Sequence, residues 1–405
     1  MDIGIVMPVY NQIPAYLKSA IHSILNQTYQ NFILTIVNDG ANLETSKIIE
    51  EEAKNDSRVI IIKKEKNEGV AKALNSGFHY LKNFKTIKYY TWVSSDNIYY
   101  PTFLAELRET LVHSPSNVGF AYSSFRHIDK HGNPIGNINL KQFIQYQDQP
   151  KEKLLDVCFV GVSFMYKKEF AEKIEGYHME PVEDYEYWLR LMETCDLVYL
   201  PKILMDYRQE SPESISTKLK KSIHLHRQWR YSYNLARVQA RNRRNIPPLL
   251  TIFFPIKHYT PEIEKKYEDL LEQTFSNYKV VIIDLSKNQY ASKKLKHISD
   301  PRVAIFINQE KNDIQAVKKY IHVSDTPFTL LFGQGDFPSD TFVLDYLVKT
   351  FQKIKEKGMD INSYMVKDLG FGKITTSLCE QDILYGTIYS TEKFKQMLQV
   401  GNQNE

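Results

Sequence analysis

Four short polar groups hold the side chains best suited to chemistry: Asn38-Asp39-Gly40, Ser94-Ser95-Asp96-Asn97, Glu183-Asp184-Tyr185 and Tyr207-Arg208-Gln209-Glu210. A carboxylate can accept an N–H, hold a hard cation through oxygen, or take a proton as a general base. Each group also has a plainer reading. Asp39 can cap a turn ahead of Gly40, Glu183-Asp184 can be an ordinary charged helix start, and Glu210 can be a solvated loop residue. Cys158, Cys195 and Cys379 stand far apart and form no ligand-spaced cluster, which fits a reducing compartment better than a disulfide framework.

The surrounding elements weigh these readings. Ile3 to Val9 is a short apolar run that predicts a buried strand entering a loop at Asn11 and Pro14. Tyr16-Leu17, Ala20-Ile21 and Ile24-Leu25 recur at helical spacing. Phe32 to Val37, Val59 to Ile62 and Lys88 to Val93 predict further strands, separated by helices over 44–54 and 69–82. Short strands alternating with longer helices predict an α/β domain with a mostly parallel sheet covered on both faces. Ligands of such sheets gather beyond the carboxyl ends of the strands, where Asp39 and the Ser94 to Asn97 group fall. Further on, the sequence predicts a helix after Pro101, a strand over 119–123, a helix around 184–193 and a basic helix over 217–244. Asn245-Ile246-Pro247-Pro248 ends that helix.

With 405 residues the chain has room for two or three domains, and 42% apolar with 25% charged residues describes a folded protein rather than a peptide hormone, disulfide knot or fibre. The net charge of +4 is too small to predict nucleic-acid binding, and no nucleic-acid motif appears. Its distribution is uneven: residues 218–244 carry Lys and Arg but no Asp or Glu. Interleaved Leu219, Ile223, Leu225, Trp229, Tyr231 and Tyr233 predict an amphipathic helix packed between domains, with an anionic lipid or an acidic glycan as alternative partners. The start lacks signal-peptide features and no run approaches 18 apolar residues, so the expectation is a cytoplasmic protein with peripheral contact to the inner membrane face through the basic stretch.

The second half echoes the first. Leu25 to Phe32 (LNQTYQNF) matches Leu271 to Tyr278 (LEQTFSNY), Asp56-Ser57-Arg58-Val59 matches Asp300-Pro301-Arg302-Val303, and Glu65-Lys66-Asn67-Glu68 matches Glu310-Lys311-Asn312-Asp313. The matches are collinear and extend to Asp96 against Asp336, so a duplicated α/β domain is expected.

Pro8-Val9-Tyr10-Asn11, the Leu25 to Phe32 segment, Asn38-Asp39-Gly40, Asn67-Glu68-Gly69, Asn75-Ser76-Gly77, Trp92 to Asn97 and Glu183-Asp184, taken in order, resemble a family 2 glycosyltransferase with the GT-A fold. The resemblance covers about residues 1–216. It implies a catalytic domain over 1–216, a basic helical linker over 217–248 and a shortened, degenerate GT-A-like copy over 249–405. The implied reaction is inverting transfer of a sugar from a nucleotide-diphosphate sugar, with a UDP-sugar favoured, to a glycan or lipid-linked acceptor.

Carried over by position, Pro8, Val9 and Tyr10 border the nucleotide, Asp39 accepts from the base imide, and Asn67 and Gly69 let the backbone approach the donor. Asp96 matches the better-kept ligand of a Mn²⁺ or Mg²⁺ ion, with Ser94 standing where the family has a second carboxylate, and Glu210 matches a later metal position. Asp184 matches the catalytic base, which the helix start is expected to keep ionised. Glu183, Gly161 and His178 fall on the acceptor side, and Trp188 is expected in the core. An Arg-Asn pair of the family is Leu74-Asn75 here, which removes a positive contact to phosphate that Lys72 does not obviously replace. The second copy keeps Asp284 and Asp336 but has Ile314 against Gly69 and ends before a counterpart of Glu183-Asp184, which predicts a scaffold or acceptor-binding module. The alternative for the whole chain is a non-catalytic sugar-nucleotide or polysaccharide-binding protein.

Overall fold

A computed structural model describes residues 1–136, 140–209, 215–310, 312–333, 337–338, 340–357, 363–367, 371–375 and 384–400. Glu210, Asp336 and Cys379 lie outside the described residues. The chain divides into two compact units, Met1–Ala236 and Arg237–Glu405.

The first unit opens with the alternation expected from the sequence: β1 (Ile3–Val9), α1 (Pro14–Leu25), β2 (Phe32–Asp39), α2 (Leu43–Ala53), β3 (Val59–Lys64), α3 (Val70–Lys82) and β4 (Tyr89–Trp92). Pro14 stands in the first turn of α1, where its missing N–H costs nothing, and Leu17, Ala20, Ile21 and Ile24 form the buried face. Asn42 caps α2 by accepting the Thr45 N–H at 2.8 Å. Strand β2 is buried along its whole length, as a central parallel strand covered on both faces must be. Burying one such aliphatic side chain contributes about 1.5–3 kcal/mol.

The remaining elements are β5 (Ile98–Tyr99), α4 (Phe103–His113), β6 (Val118–Ile128), α5 (Leu140–Gln147), β7 (Phe164–Lys167), α6 (Lys168–Ala171), α7 (Glu183–Leu191), β8 (Asp196–Arg208), α8 (Ile215–Lys221) and α9 (Ile223–Arg243). The sheet order is β3-β2-β1-β4-β7-β6-β8-β5. Strands β1 to β4 pair in parallel, and β7 is antiparallel to both β4 and β6. The carboxyl ends of β1, β2 and β4 therefore open on the same edge, and the order reverses beside β1, the geometry that makes a ligand crevice. Gly77 of α3 lets that helix close on β1, because a Cβ there would stand 2.5 Å from a methyl of Val6. Trp188 is fully buried, ringed by Phe120, Phe164 and Tyr166.

The basic stretch departs from a single predicted helix. It breaks at Ser222, whose Oγ accepts the Leu225 N–H at 3.3 Å and so starts α9 anew. Trp229 and Tyr233 of α9 pack inside the first unit: Tyr233 stacks on Tyr185 at 4.3 Å and its hydroxyl accepts the Cys158 N–H.

The second unit contains β9 (Leu250–Ile256), α10 (Pro261–Leu271), β10 (Tyr278–Asp284), α11 (Tyr290–Leu295), β11 (Val303–Ile307), α12 (Asp313–Tyr320), β12 (Phe328–Leu331), α13 (Val343–Glu356), β13 (Ser363–Lys367), β14 (Phe371–Thr375), β15 (Ile388–Ser390) and α14 (Thr391–Val400). Its order, β11-β10-β9-β12-β15-β13-β14, begins as the first sheet does. Local contacts recur as well. Arg58 pairs with Asp56 and donates to the Leu25 carbonyl, and Arg302 pairs with Asp300 and donates to the Leu271 carbonyl. Gln27 joins the Tyr100 carbonyl to the Leu104 N–H, and Gln273 joins the Asp340 carbonyl to the Leu344 N–H.

Candidate active site

A cleft of about 630 Å³ lies over the strand exits of the first unit. Pro8, Val9 and Tyr10 line it from the end of β1, with Tyr10 exposed, and Asp39 closes it from the end of β2. Ser94, Ser95 and Asp96 enter from the loop after β4, and Glu183 and Asp184 from the start of α7. Asn67 and Gly69 complete the wall before α3. Residues brought by five separate elements thus meet in one space. Gly161 and His178 do not line it. Gly161 (φ +74°) sits against Phe125, next to the lining residue Val162, and His178 faces the Glu186 carboxylate at 3.2 Å. A larger cavity, about 810 Å³, lies apart from these residues along the far part of α3 and holds none of the acidic exits.

Asp39 is buried, with charged company. Its Oδ2 accepts the N–H groups of Glu68 (3.1 Å) and Gly69 (3.0 Å), and its Oδ1 lies 3.2 Å from the Lys64 ammonium. Lys64 also meets Glu68 at 2.6 Å. Burial pulls the Lys64 ammonium down, but the two carboxylates outweigh it and hold its pKa above the ordinary value. Three donors make four contacts with the carboxylate, two on each oxygen, because the Glu68 N–H also lies 3.2 Å from Oδ1.

Gly69 has a positive φ of +96°, and a Cβ on it would stand 2.5 Å from a Glu180 oxygen. That Glu180 oxygen accepts the Ala71 N–H at 2.8 Å, so the carboxylate caps α3, whose own N-cap residue has no side chain. The loop carrying Glu180 is fixed behind the cleft by Arg190, which pairs with Glu186 and donates to the carbonyls of Glu175 and Gly176. Glu180 lines the cleft, as do Arg208, Lys218 and Trp229. Reading the sequence missed all four as site residues. Arg208 was signalled by the Tyr207-Arg208 pair, whereas the other three are brought in by tertiary packing alone.

Glu183 is buried and its Oε2 has no hydrogen-bond partner among the described residues, while Asp184 Oδ1 accepts the Tyr185 N–H at 2.6 Å. Burial, then the neighbouring Asp184 charge, pushes the Glu183 carboxyl up to about 8. Burial also raises Asp184, against the lowering effect of the Tyr185 N–H. The helix start was expected to favour the ionised form of Asp184; desolvation acts against it and sets the direction of the shift. A carboxylate with a raised pKa is a stronger base, the property needed to deprotonate a hydroxyl near neutral pH.

For a divalent cation, the described residues supply a thin donor set. No group of three His, Cys, Asp or Glu side chains comes together as a cage among them, and Ser94 brings no charge beside Asp96. Asp96 on the cleft wall fits the mode in which Mg²⁺ takes one carboxylate and draws its other ligands from substrate phosphates and water.

Residues 4–175 match the model of Glycosyl transferase family 2. That part of the chain belongs to glycosyl transferase family 2. An uncharacterised glycosyltransferase of Methanocaldococcus jannaschii is 26% identical over 247 residues, covering 60% of this chain and 81% of its own. The chondroitin synthase of Escherichia coli is 27% identical over 207 residues, which are 50% of this chain and 28% of that larger protein. Among solved structures, S. aureus TarS residues 1–349 align at 13% identity with a TM-score of 0.49, over 95% of this chain and 99% of that one. The mixed, mostly parallel sheet flanked by helices is the α/β architecture expected from the sequence. No helix among the described residues is long and apolar enough to cross a membrane.

Proposed function

We propose that the first unit transfers a sugar, with inversion, from a nucleotide-diphosphate sugar to a hydroxyl of a glycan or lipid-linked acceptor, as in surface polysaccharide or glycoconjugate synthesis. The observation that carries the reading is the convergence of Asp39, Asp96 and Asp184 on one cleft at the strand exits. Asp39 accepts the imide N–H of a pyrimidine base, which favours UDP, and Tyr10 offers a ring face beside it. Asp184 takes the proton of the acceptor hydroxyl as the oxygen attacks the anomeric carbon. The bond to the donor diphosphate breaks in the same displacement, and no covalent sugar–enzyme intermediate forms. Glu183, on the same helix start, orients the acceptor. Asp96, with Glu210, would hold a Mg²⁺ or Mn²⁺ ion, which would supply positive charge against the departing phosphate.

The second unit is a degenerate duplicate used as a scaffold or acceptor platform. Support comes from Asp284, the counterpart of Asp39. Both its oxygens are taken by the N–H and hydroxyl groups of Ser286 and Ser292, which hold it below the ordinary carboxylate pKa although burial pulls the other way. The basic stretch adds a peripheral contact for an anionic membrane face on the cytoplasmic side.

A panel of nucleotide sugars, assayed with Mg²⁺, Mn²⁺ and chelator, tests the activity. Transfer or donor hydrolysis is expected with at least one, most readily a UDP-sugar. Asp184→Asn should lower turnover by about 10²–10⁴-fold while donor affinity holds. Donor binding with no turnover by the wild type would instead favour a non-catalytic sugar-nucleotide-binding protein, the reading that Ser94 in place of a carboxylate favours.

A further inference from the structure

Strand β11 reads Val303-Ala304-Ile305-Phe306-Ile307 and stands at one end of the second sheet, paired in parallel with β10. Ile305 is 44% exposed and Ile307 53%. Strand β3 stands at the corresponding end of the first sheet, and the match of Arg58-Val59 to Arg302-Val303 sets Ile61 against Ile305 and Lys63 against Ile307. In the first unit, Val59 and Ile61 pack on the core that holds Ile48 and Ile49 of α2, and Lys63 carries a charge outward to pair with Glu50. In the second unit, α11 has six residues where α2 has eleven, and an isoleucine takes the place of the lysine. A lysine on an edge strand discourages pairing with another chain, whereas a bare apolar run invites it. Strand β11 lacks both guards.

The backbone of that edge says what fits it. The Arg302 carbonyl accepts the Val280 N–H at 2.9 Å and the Asn308 N–H donates to the Asp284 carbonyl at 3.0 Å. Successive residues of a strand aim their polar groups to opposite sides, so Val303, Ile305 and Ile307 turn theirs away from β10. Two of these outward groups are satisfied within the chain: the Val303 N–H by the Asp300 carbonyl at 3.2 Å, and the Ile307 carbonyl by the Tyr320 hydroxyl at 3.1 Å. The Val303 carbonyl, both groups of Ile305 and the Ile307 N–H also stand on that edge. This set complements itself. If two such strands meet antiparallel about Ile305, each Ile305 exchanges both of its bonds with the other, and each Ile307 N–H reaches the opposite Val303 carbonyl. The two groups already satisfied fall opposite one another and need nothing. Side chains agree with the same register: Val303 lies across from Ile307 and Ala304 across from Phe306, smaller against larger, with no charge in the run.

We propose that β11 is a dimerisation edge, pairing antiparallel with β11 of a second copy of this chain and joining two seven-stranded sheets into one. Pairing a strand with itself in this way is two-fold symmetric, so the contact closes at two chains. The proposal rests on the scaffold reading of the second unit and gives it a definite task, assembly, which puts two transferase clefts in one particle.

Sedimentation velocity on the full chain between about 1 and 100 µM is expected to show a monomer–dimer equilibrium. Ile307→Lys, which installs the first unit's residue at an exposed position, should weaken association at least tenfold, while Ile307→Val retains it. Both variants are expected to melt as wild type does, since the side chain lies outside the core. Ile305→Cys places a thiol on the two-fold axis and should yield a dimer with a short bismaleimide that wild type does not, and adding Ile307→Lys should remove it. A chain that stays monomeric across the range, a dimer that Ile307→Lys leaves intact, or a dimer without the Ile305→Cys crosslink overturns the proposal. A monomer that floats with phosphatidylglycerol vesicles in an Ile307-dependent way assigns the edge to a lipid surface and likewise overturns it. None of these readouts uses a nucleotide sugar, so the proposal and the transfer reaction stand or fall separately.

Discussion

Glu180 caps α3 from 109 residues further along the chain, its carboxylate accepting the Ala71 N–H at 2.8 Å. The contact exists because residue 69 lacks a side chain, and it ties the loop before α7 to the helix behind the donor side of the cleft.

Glu180→Ala is therefore expected to cost about 1 kcal/mol of stability, the usual scale for losing an N-cap. Gly69→Ala should cost more, since its Cβ displaces the same carboxylate and its φ of +96° is strained for alanine. Urea unfolding of both variants measures this. If the costs arise from one contact, the double variant falls short of their sum.

The acidic pair at α7 sets a pH dependence. Glu183 ordinarily ionises near 4.5 and in the fold near 8, so between those values the folded chain keeps a proton that the unfolded chain releases. Stability therefore falls as pH rises across that window. Glu183→Gln should abolish this slope and exceed wild type by about 1 kcal/mol or more at pH 8, while matching it below pH 4.5. Thermal melts across pH 4 to 9 check it. Transfer runs the other way: the raised Asp184 shifts the acid limb of the rate profile above that of an ordinary aspartate.

Ser94→Asp restores a second carboxylate beside Asp96. Mn²⁺ affinity in the presence of UDP should tighten about tenfold, since divalent cations are held by carboxylate charge and number. Titration of free Mn²⁺ by electron paramagnetic resonance measures it. An unchanged affinity would place the cation elsewhere.

The two aspartates at corresponding strand ends should separate in function. Asp39→Ala is expected to abolish UDP binding. Asp284→Ala should leave one UDP bound per chain and cost stability instead, because four donors from Ser286 and Ser292 lose their acceptor. Stoichiometry from titration and melting temperature tell the two apart.

What could be read from the sequence follows how local the responsible physics is. Strands β1, β2 and β3 are short apolar runs and α1 is a periodic stripe, so both pattern and position were legible. Asp39 and Asp96 were legible because strand ends carry polar residues at an edge that topology makes concave. The break at Ser222 was not, since a single side-chain cap overrides a helical pattern that continues on both sides of it. Glu180 and Trp229 depend on loops and helices packing back over the cleft, and no spacing rule encodes that. The raised pKa of Asp184 was hidden for a related reason. A helix start is visible in a sequence, but the depth at which it is buried is not.

The carboxylate at 39 does two jobs with one group: it holds the turn into α3 and faces the cleft. With Asp39 as the proposed reader of the base, donor preference is for that reason expected to resist change in small steps. A substitution that alters which base is accepted also unties the helix behind it, so lineages or laboratory selections that switch nucleotide at this site should carry paired changes, one at 39 and one supplying a replacement cap.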